Sequence, residues 1–203
     1  MSQVERSAAR DAAIEGALPN VAFDGWGRAA LRHSGVADAD ILFPGGATDM
    51  IEAYCDWADR MMAVEAAASM PDGLRLPARV RFVIAVRLRQ NRPYREAIRR
   101  ALGVLAVPGN AALAARITAR SVDAIWLAAG DKSADFSWYT KRAILAGVYG
   151  STLLFWLRDP HEDDAASLEF LDRRLQGVAM IGKLRGRAEG MLGRFVPRRF
   201  RTA

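Results

Sequence analysis

The 203-residue chain holds two histidines and one cysteine, and their placing builds little chemistry. His33 and His161 both fall beside predicted loops. In Pro160-His161-Glu162-Asp163-Asp164, neighbours along a polar loop do not converge on one ion, so a solvated loop is expected. The sequence has no Glu-x-x-His pair for a di-iron bundle, no P-loop and no G-x-G-x-x-G. One Cys and two His exclude a disulfide framework and a metal centre built mainly from those residues. Cys55 lies on a predicted buried helical face with no His near it in sequence, which predicts a shielded structural thiol. No catalytic residue, metal or cofactor is predicted, and the chain reads as a non-enzyme.

Two segments carry binding chemistry instead. The first is Gly130-Asp131-Lys132-Ser133-Ala134-Asp135-Phe136-Ser137-Trp138-Tyr139-Thr140-Lys141-Arg142. Trp138 and Tyr139 are consecutive near a helix start, so they point about 100° apart and cannot both be fully buried. Exposed aromatics on a rigid helix start suit a partner hot spot. The alternative is ordinary core anchoring by one of the two.

The second segment is the tail. Leu184, Ala188, Met191, Leu192 and Phe195 recur at helical spacing, flanked by Lys183, Arg185, Arg187 and Arg194. A basic amphipathic helix predicts membrane-surface binding, with the apolar face in the headgroup boundary and arginines on anionic lipid. Pro197 should end that helix before Arg198-Arg199-Phe200-Arg201. The alternative is a tail helix docked on the protein's own body.

Charge supports the tail reading. The formal net charge is +6. From Lys183 onward seven basic residues face one acid, so the preceding chain is neutral. The first sixty residues hold five basic and ten acidic residues. Between Arg75 and Arg100 stand nine arginines and one acid, Glu96. That stretch is expected to form solvated faces pairing with the acidic N-terminal region, or a second lipid-facing patch. Hydrophobic residues at 51% and charged residues at 26% suit a globular fold. No window approaches an uninterrupted membrane span, and no secretory signal is visible. Few lysines and many alanines suggest a GC-rich bacterial genome.

The elements that must position these segments are helical throughout. Helices are expected at Ser7–Leu18, stopped by Pro19, at Trp26–His33, and briefly at Ala39–Phe43. A long helix follows, with Asp49 and Glu52 at capping-box spacing and Met50, Tyr54, Trp57, Ala58, Met61 and Met62 on one face. Val80, Ile84 and Leu88 mark the next. Pro93 fits the first position of another, whose buried face is Tyr94, Ile98, Leu102 and Leu105. Asn110 is placed to cap a helix running to Ala129, with Gly130 closing it. Asp135 is the expected N-cap of the most apolar helix, Phe136–Leu157, which should be central. Leu168, Leu171, Leu175 and Val178 form the seam of the last body helix.

This order resembles the TetR regulator fold: all-α, with a three-helix helix-turn-helix-type unit, a six-helix body and a C-terminal amphipathic helix. A groove reader needs basic residues for phosphates. Where a recognition helix would fall, Asp38 to Gly46 holds none. A ligand-responsive transcriptional regulator is therefore the alternative function, and no nucleic-acid partner is expected.

The run Ala129-Gly130-Asp131-x-Ser133-x-Asp135-x-x-Trp138-Tyr139-Thr140-x-Arg142-Ala143 resembles the ubiquinone biosynthesis accessory family, coenzyme Q biosynthesis protein nine. Phe23-Asp24-Gly25-Trp26, Leu42-Phe43-Pro44-Gly45-Gly46, Asp123-x-x-Trp126 and Phe170-Leu171-x-x-Arg174 agree. The resemblance implies a TetR-like fold without DNA binding and a homodimer. It implies a non-catalytic protein that binds isoprenoid quinone intermediates or phospholipid and presents them to the demethoxyubiquinone hydroxylase at the membrane. It carries partner binding onto Trp138 and Tyr139, with Asp135 and Arg142 beside them. It carries membrane contact onto Lys183, Leu184, Arg187, Met191, Leu192 and Phe195. The family supplies no motif for the lipid pocket; apolarity alone points to Leu102, Leu105, Trp126, Tyr149, Leu153 and Trp156. The expected division is 1–46 helix-turn-helix-like unit, 47–182 lipid-binding and dimerisation body, and 183–203 membrane tail. The expected location is cytoplasmic, peripheral on the inner membrane of a bacterium.

Overall fold

A computed structural model of the chain describes residues 4–131, 137–161 and 163–178. Every regular element among them is helical. The helices are α1 (Ala8–Asp24), α2 (Arg28–Arg32), α3 (Ala47–Ser69), α4 (Leu76–Asn91), α5 (Arg95–Leu105), α6 (Ala111–Ala128), α7 (Ser137–Arg158) and α8 (165–178). Single 3-10 turns at Arg92–Tyr94 and Pro108–Asn110 lead into α5 and α6. The Asp135 cap and the tail helix with Lys183, Leu184, Arg187, Met191, Leu192 and Phe195 lie outside the described residues.

The first unit departs from expectation in two ways. Helix α1 runs through Pro19 to Asp24. Pro19 is exposed, while Ile14, Ala17, Leu18 and Val21 continue one buried face across it. The apolar stripe therefore outweighs the single backbone bond that proline forfeits. The expected third helix is a turn over residues 37–42, followed by Pro44-Gly45-Gly46. Arg10 holds this stretch from inside. It is buried, lies 4.4 Å over the Phe43 ring, donates to the Leu42 carbonyl, and pairs with Asp49 at 2.5 Å. Asp49 accordingly serves Arg10, and α3 begins earlier, at Ala47, with no side-chain cap. Pro93 falls in the 3-10 turn, not at the start of α5. Asn110 takes the expected N-cap position of α6, but its amide goes to the Val104 carbonyl at 2.9 Å and makes no capping bond.

Helix α3 occupies the centre. It packs against α1, α4, α5 and α6, and buries Met50, Ile51, Tyr54, Ala58 and Met62. Trp26 donates its indole N–H to the Ala97 carbonyl at 2.8 Å and meets the Tyr54 ring at a tilt, 5.3 Å between centroids, and the Tyr54 hydroxyl donates to Asn91 at 2.9 Å. Helix α7 is not central, contrary to expectation. It packs on α6 and α4, burying Leu145, Val148, Tyr149 and Trp156. Its other face leaves Ile144 and Leu154 exposed among the described residues. An all-round apolar helix predicts burial of every face, but α4, α6 and the Phe155–Phe170 contact with α8 leave part of this one open.

The arginines of α4 and α5 pair with the acidic N-terminal region at one described contact, Arg87 with Asp59 at 3.3 Å, and otherwise turn elsewhere. Those acids are taken nearer home: Asp11 by Arg60 at 2.6 Å, and Asp56 by Arg6 at 2.7 Å. Arg81 instead binds Asp172 on α8 at 2.6 Å, and Arg89 binds Glu65. Arg95 and Arg99 donate to the Asp159 and Leu157 carbonyls, each at 2.6 Å. Arg92 binds Asp164, which also accepts the Trp156 indole N–H at 2.8 Å. Arg95 stacks on that same indole, 4.5 Å from its centroid. Asp164 is buried with φ +53°, a left-handed backbone that Asp tolerates better than most residues. The neighbouring Asp159 accepts the His161 backbone N–H and the Ser167 hydroxyl, which hold its carboxyl below the usual range. The α4–α5 arginines thus clamp the α7–α8 corner.

Replacing Asp164 by Ala strips the indole of its acceptor and two arginines of their carboxylate. The expected loss is about 3 kcal/mol, read as a lower urea midpoint at unchanged slope. Asp164→Asn keeps an acceptor and tolerates the backbone, so it should lose only about half as much.

Candidate functional site

Helix α6 ends on a pair of backbone bonds that aim the chain toward α7. Gly130 has φ +77°, its N–H donates to the Leu127 carbonyl at 2.9 Å, and the Asp131 N–H donates to Trp126 at 3.0 Å. This is the closing motif expected for Gly130. A side chain there would meet the Arg79 guanidinium as well as the positive φ.

On the far side, the first turn of α7 presents Trp138, Tyr139 and Arg142 together. The guanidinium of Arg142 lies 3.6 Å from the Trp138 ring centroid, and its Nε donates to Asp123 on α6. Tyr139 meets the Trp138 ring edge-on at 4.7 Å. Trp138 is half-buried and Tyr139 is 76% exposed, so neither is sunk in the core. Asp123 anchors Arg142, Arg142 supports the indole, and the indole supports the phenol. That stack fixes two large aromatic surfaces at the protein boundary with little rotamer freedom left to lose, as hot spots require. Lys141 stands 3.9 Å from Asp131 beside it, and Leu127 is 69% exposed nearby on α6.

The six residues chosen by apolarity are spread over α5, α6 and α7. Trp156 is fully buried and committed to Asp164 and Arg95. Tyr149 is buried on α7, where the charge of Arg87 acts on its phenol. Leu102 and Leu105 are half-buried on α5, and Leu153 on α7. Trp126 is half-buried, and its indole N–H has no hydrogen-bond partner. None of the six lines a cavity described among these residues.

The structure holds a polar feature that apolarity could not reveal. Asp59 on α3 and Arg87 on α4 are both buried, 3.3 Å apart, and the Ser121 hydroxyl of α6 donates to Asp59 at 2.9 Å. Burial opposes the Arg87 charge, but the facing carboxylate holds its pKa above the ordinary value. The one arginine inside the apolar run Val83 to Leu88 was the available signal, and the arginine-rich stretch around it reads from sequence as solvated faces.

The groups weighed for chemistry stand apart. His33 lies 3.5 Å from Asp24, and His161 lies 3.6 Å from Asp159 on an exposed loop. No three metal-type side chains converge among the described residues. Cys55 is on α3, where burial pushes its thiol up to about 12.

Residues 111–182 match the COQ9 family model. The mitochondrial ubiquinone biosynthesis protein COQ9 of Xenopus tropicalis is 39% identical over 103 residues, 51% of this chain and 32% of that protein. The human counterpart is 37% identical over the same share of each chain. The mitochondrial coq9 protein of Schizosaccharomyces pombe is 31% identical over 159 residues, 78% of this chain and 62% of the relative. The chain thus spans about a third of the length of the vertebrate relatives it matches. A TetR transcriptional regulator from Nitrosomonas europaea superposes with a TM-score of 0.66 over 86% of this chain and 99% of its own, at 23% identity. That likeness shows the TetR-like, all-α fold. The relatives' mitochondrial names overturn the expected bacterial, cytoplasmic inner-membrane location. Arginine and alanine content follows the base composition of a genome, not the compartment of a protein.

Alkylation of native Cys55 by iodoacetamide at pH 8 should run about a thousandfold slower than in the urea-unfolded chain, followed by intact mass. A native rate near the unfolded one would show an open, reactive thiol.

Proposed function

We propose that this chain, which matches the COQ9 family model over residues 111–182, serves ubiquinone biosynthesis as a non-catalytic lipid-handling accessory protein. In this reading it shelters an isoprenoid quinone intermediate among its helices and presents it to the demethoxyubiquinone hydroxylase at a membrane surface. A long isoprenoid chain cannot leave a bilayer unsheltered, since each exposed methylene costs about 0.8 kcal/mol. The homodimer implied by the resemblance belongs to the same proposal.

The observation that carries the reading is the Trp138–Tyr139–Arg142 stack. It lies within the matched domain, is braced by Asp123, and leaves its outer ring in solvent. A fold that only needed to pack would turn the indole and phenol inward. The basic amphipathic tail supplies the membrane contact in this proposal, by its sequence alone. A DNA-binding regulator shares the fold. The turn over 37–42, where a groove-reading helix would be needed, speaks against that reading.

The double variant Trp138→Ala, Tyr139→Ala should fold with wild-type ellipticity and lose hydroxylase capture. Hot-spot truncations cost about 2 kcal/mol or more, equivalent to about thirtyfold in Kd. Capture at wild-type strength refutes the docking role. Truncation after Gly182 should abolish flotation with anionic liposomes and leave neutral-liposome flotation low. Unchanged flotation refutes the tail as anchor.

A further inference from the structure

From Ala101 to Ala115 the chain carries no charged side chain, no aromatic ring and a single polar side chain, Asn110. On either side the charges return as arginine, at Arg99 and Arg100 on α5 and at Arg116 and Arg120 on α6. The fold turns this stretch into a corner. Helix α5 ends at Leu105, the 3-10 turn at Pro108–Asn110 follows, and the helical stretches Leu76–Leu105 and Pro108–Ala128 meet at 96°. The inner side packs on the core, with Ala101 and Ile117 buried and Leu102, Leu105 and Leu113 half-buried. The outer side faces solvent from Ala106 to Gly109, and Val107 at its tip is 52% exposed. A connection between helices is ordinarily polar, so four consecutive exposed residues without a polar side chain call for a function.

The backbone is as self-contained as the side chains. Asn110 donates its amide to the Val104 carbonyl at 2.9 Å and its N–H to the Val107 carbonyl at 2.8 Å. The Ala106 N–H reaches Leu102 at 2.9 Å, and the Ala111 N–H reaches Pro108. Pro108 has no N–H to leave open. A segment that leaves water must satisfy its backbone groups internally, and this one does.

The charges behind the corner choose the occupant. In the described ion pairs the four arginines share two carboxylates. Glu96 faces Arg99 and, at 3.7 Å, Arg100; Glu52 faces Arg116 at 3.5 Å and Arg120 at 3.1 Å. The surplus is cationic. Arg100 and Arg116 each stand five residues behind the corner, about 8 Å along their helices. An apolar tip sunk to that depth in the headgroup boundary leaves cations at the level of lipid phosphates. A protein partner is less suited, because the tip offers none of the large aromatic anchors of a hot spot.

We propose that the α5–α6 corner is a second membrane contact, with Val107 entering the headgroup boundary of an anionic bilayer and Arg99, Arg100 and Arg116 on its phosphates. The inference rests on the membrane role proposed above and adds to the tail a site on the folded body. One shallow contact attaches a protein only marginally, and stable anchoring takes two signals, so the chain without its tail still fails to float. Helix α6 leads about 26 Å away from the corner, which keeps the Trp138 stack at its far end clear of lipid.

The test labels the full chain with an NBD fluorophore at Val107→Cys, Cys55 being shielded from the reagent. A second chain labelled at Val64→Cys, on an exposed face of α3, is the control. Phosphatidylcholine vesicles containing phosphatidylglycerol should raise the Val107 emission at least about threefold and leave the control unchanged, and nitroxide lipids labelled near the headgroup should quench it. With melting temperature unchanged, Val107→Glu should lower vesicle partition of the full chain about fivefold. Aqueous emission from a chain that floats overturns the corner and leaves the tail anchor standing. Neither flotation nor an emission change overturns the corner and the membrane role together. Wild-type partition of Val107→Glu overturns the corner, and equal emission on pure phosphatidylcholine overturns the part given to the arginines. If the label is already shielded without vesicles and is exposed by dilution or by truncation after Gly182, a second copy or the tail covers the corner, and the proposal fails.

Discussion

Where α3, α4, α6 and α7 converge, one guanidinium and one carboxylate are shut away from water. Arg87 and Asp59 each come from a different helix, Ser121 adds a third, and the Arg87 charge reaches the Tyr149 phenol of a fourth. Taking two charges out of water costs several kcal/mol per ion, and only close pairing offsets it. Parting these helices would strand a buried charge, whereas sliding apolar faces past one another would not. The pair therefore specifies one register among helices whose alanine-rich faces could pack in several. Burial also raises the Tyr149 phenol, which keeps it neutral beside the cation.

The rest of the charge pattern extends this constraint outward. Arg10 gathers the turn after α2, with the Phe43 ring and Asp49 around it. Arg92, Arg95 and Arg99 gather the corner between α7 and α8. In each case arginine forks reach carbonyls and carboxylates at loops that lack regular backbone pairing, a task suited to a planar five-donor group. The arginine-rich stretch thus combines a solvent-facing side, at Arg75, Arg89 and Arg100, with struts to other helices at Arg81, Arg87, Arg92 and Arg95. The same residue type then supplies Arg142 beneath the aromatic stack, so scaffold and candidate site are built from one chemistry.

Seen together, the stack and two adjoining cavities between α3 and α6 lie on one side of α6. Arg120, Asp123 and Leu127 recur on that helix at intervals of three and four, so one face braces the stack and lines the cavities. The small residues at this seam, Ala63, Ala124 and Ala128, also let α3 and α6 approach closely. A large side chain there would fill the space and push the helices apart.

Helical class, the break at Pro44-Gly45-Gly46, the close of α6 at Gly130 and the exposure of Tyr139 were legible along the chain, because each depends on neighbours within about one helical turn. So was the aromatic segment that lies in the family domain. The passage of α1 through Pro19, the turn in place of a third helix and the central place of α3 were not. Nor were the partners of nine arginines within twenty-six residues, since sequence distance says nothing about which carboxylate arrives from another helix. Periodicity reports how apolar a face is. Only the packed structure decides which faces find cover, which charges are desolvated together, and where small residues leave a space.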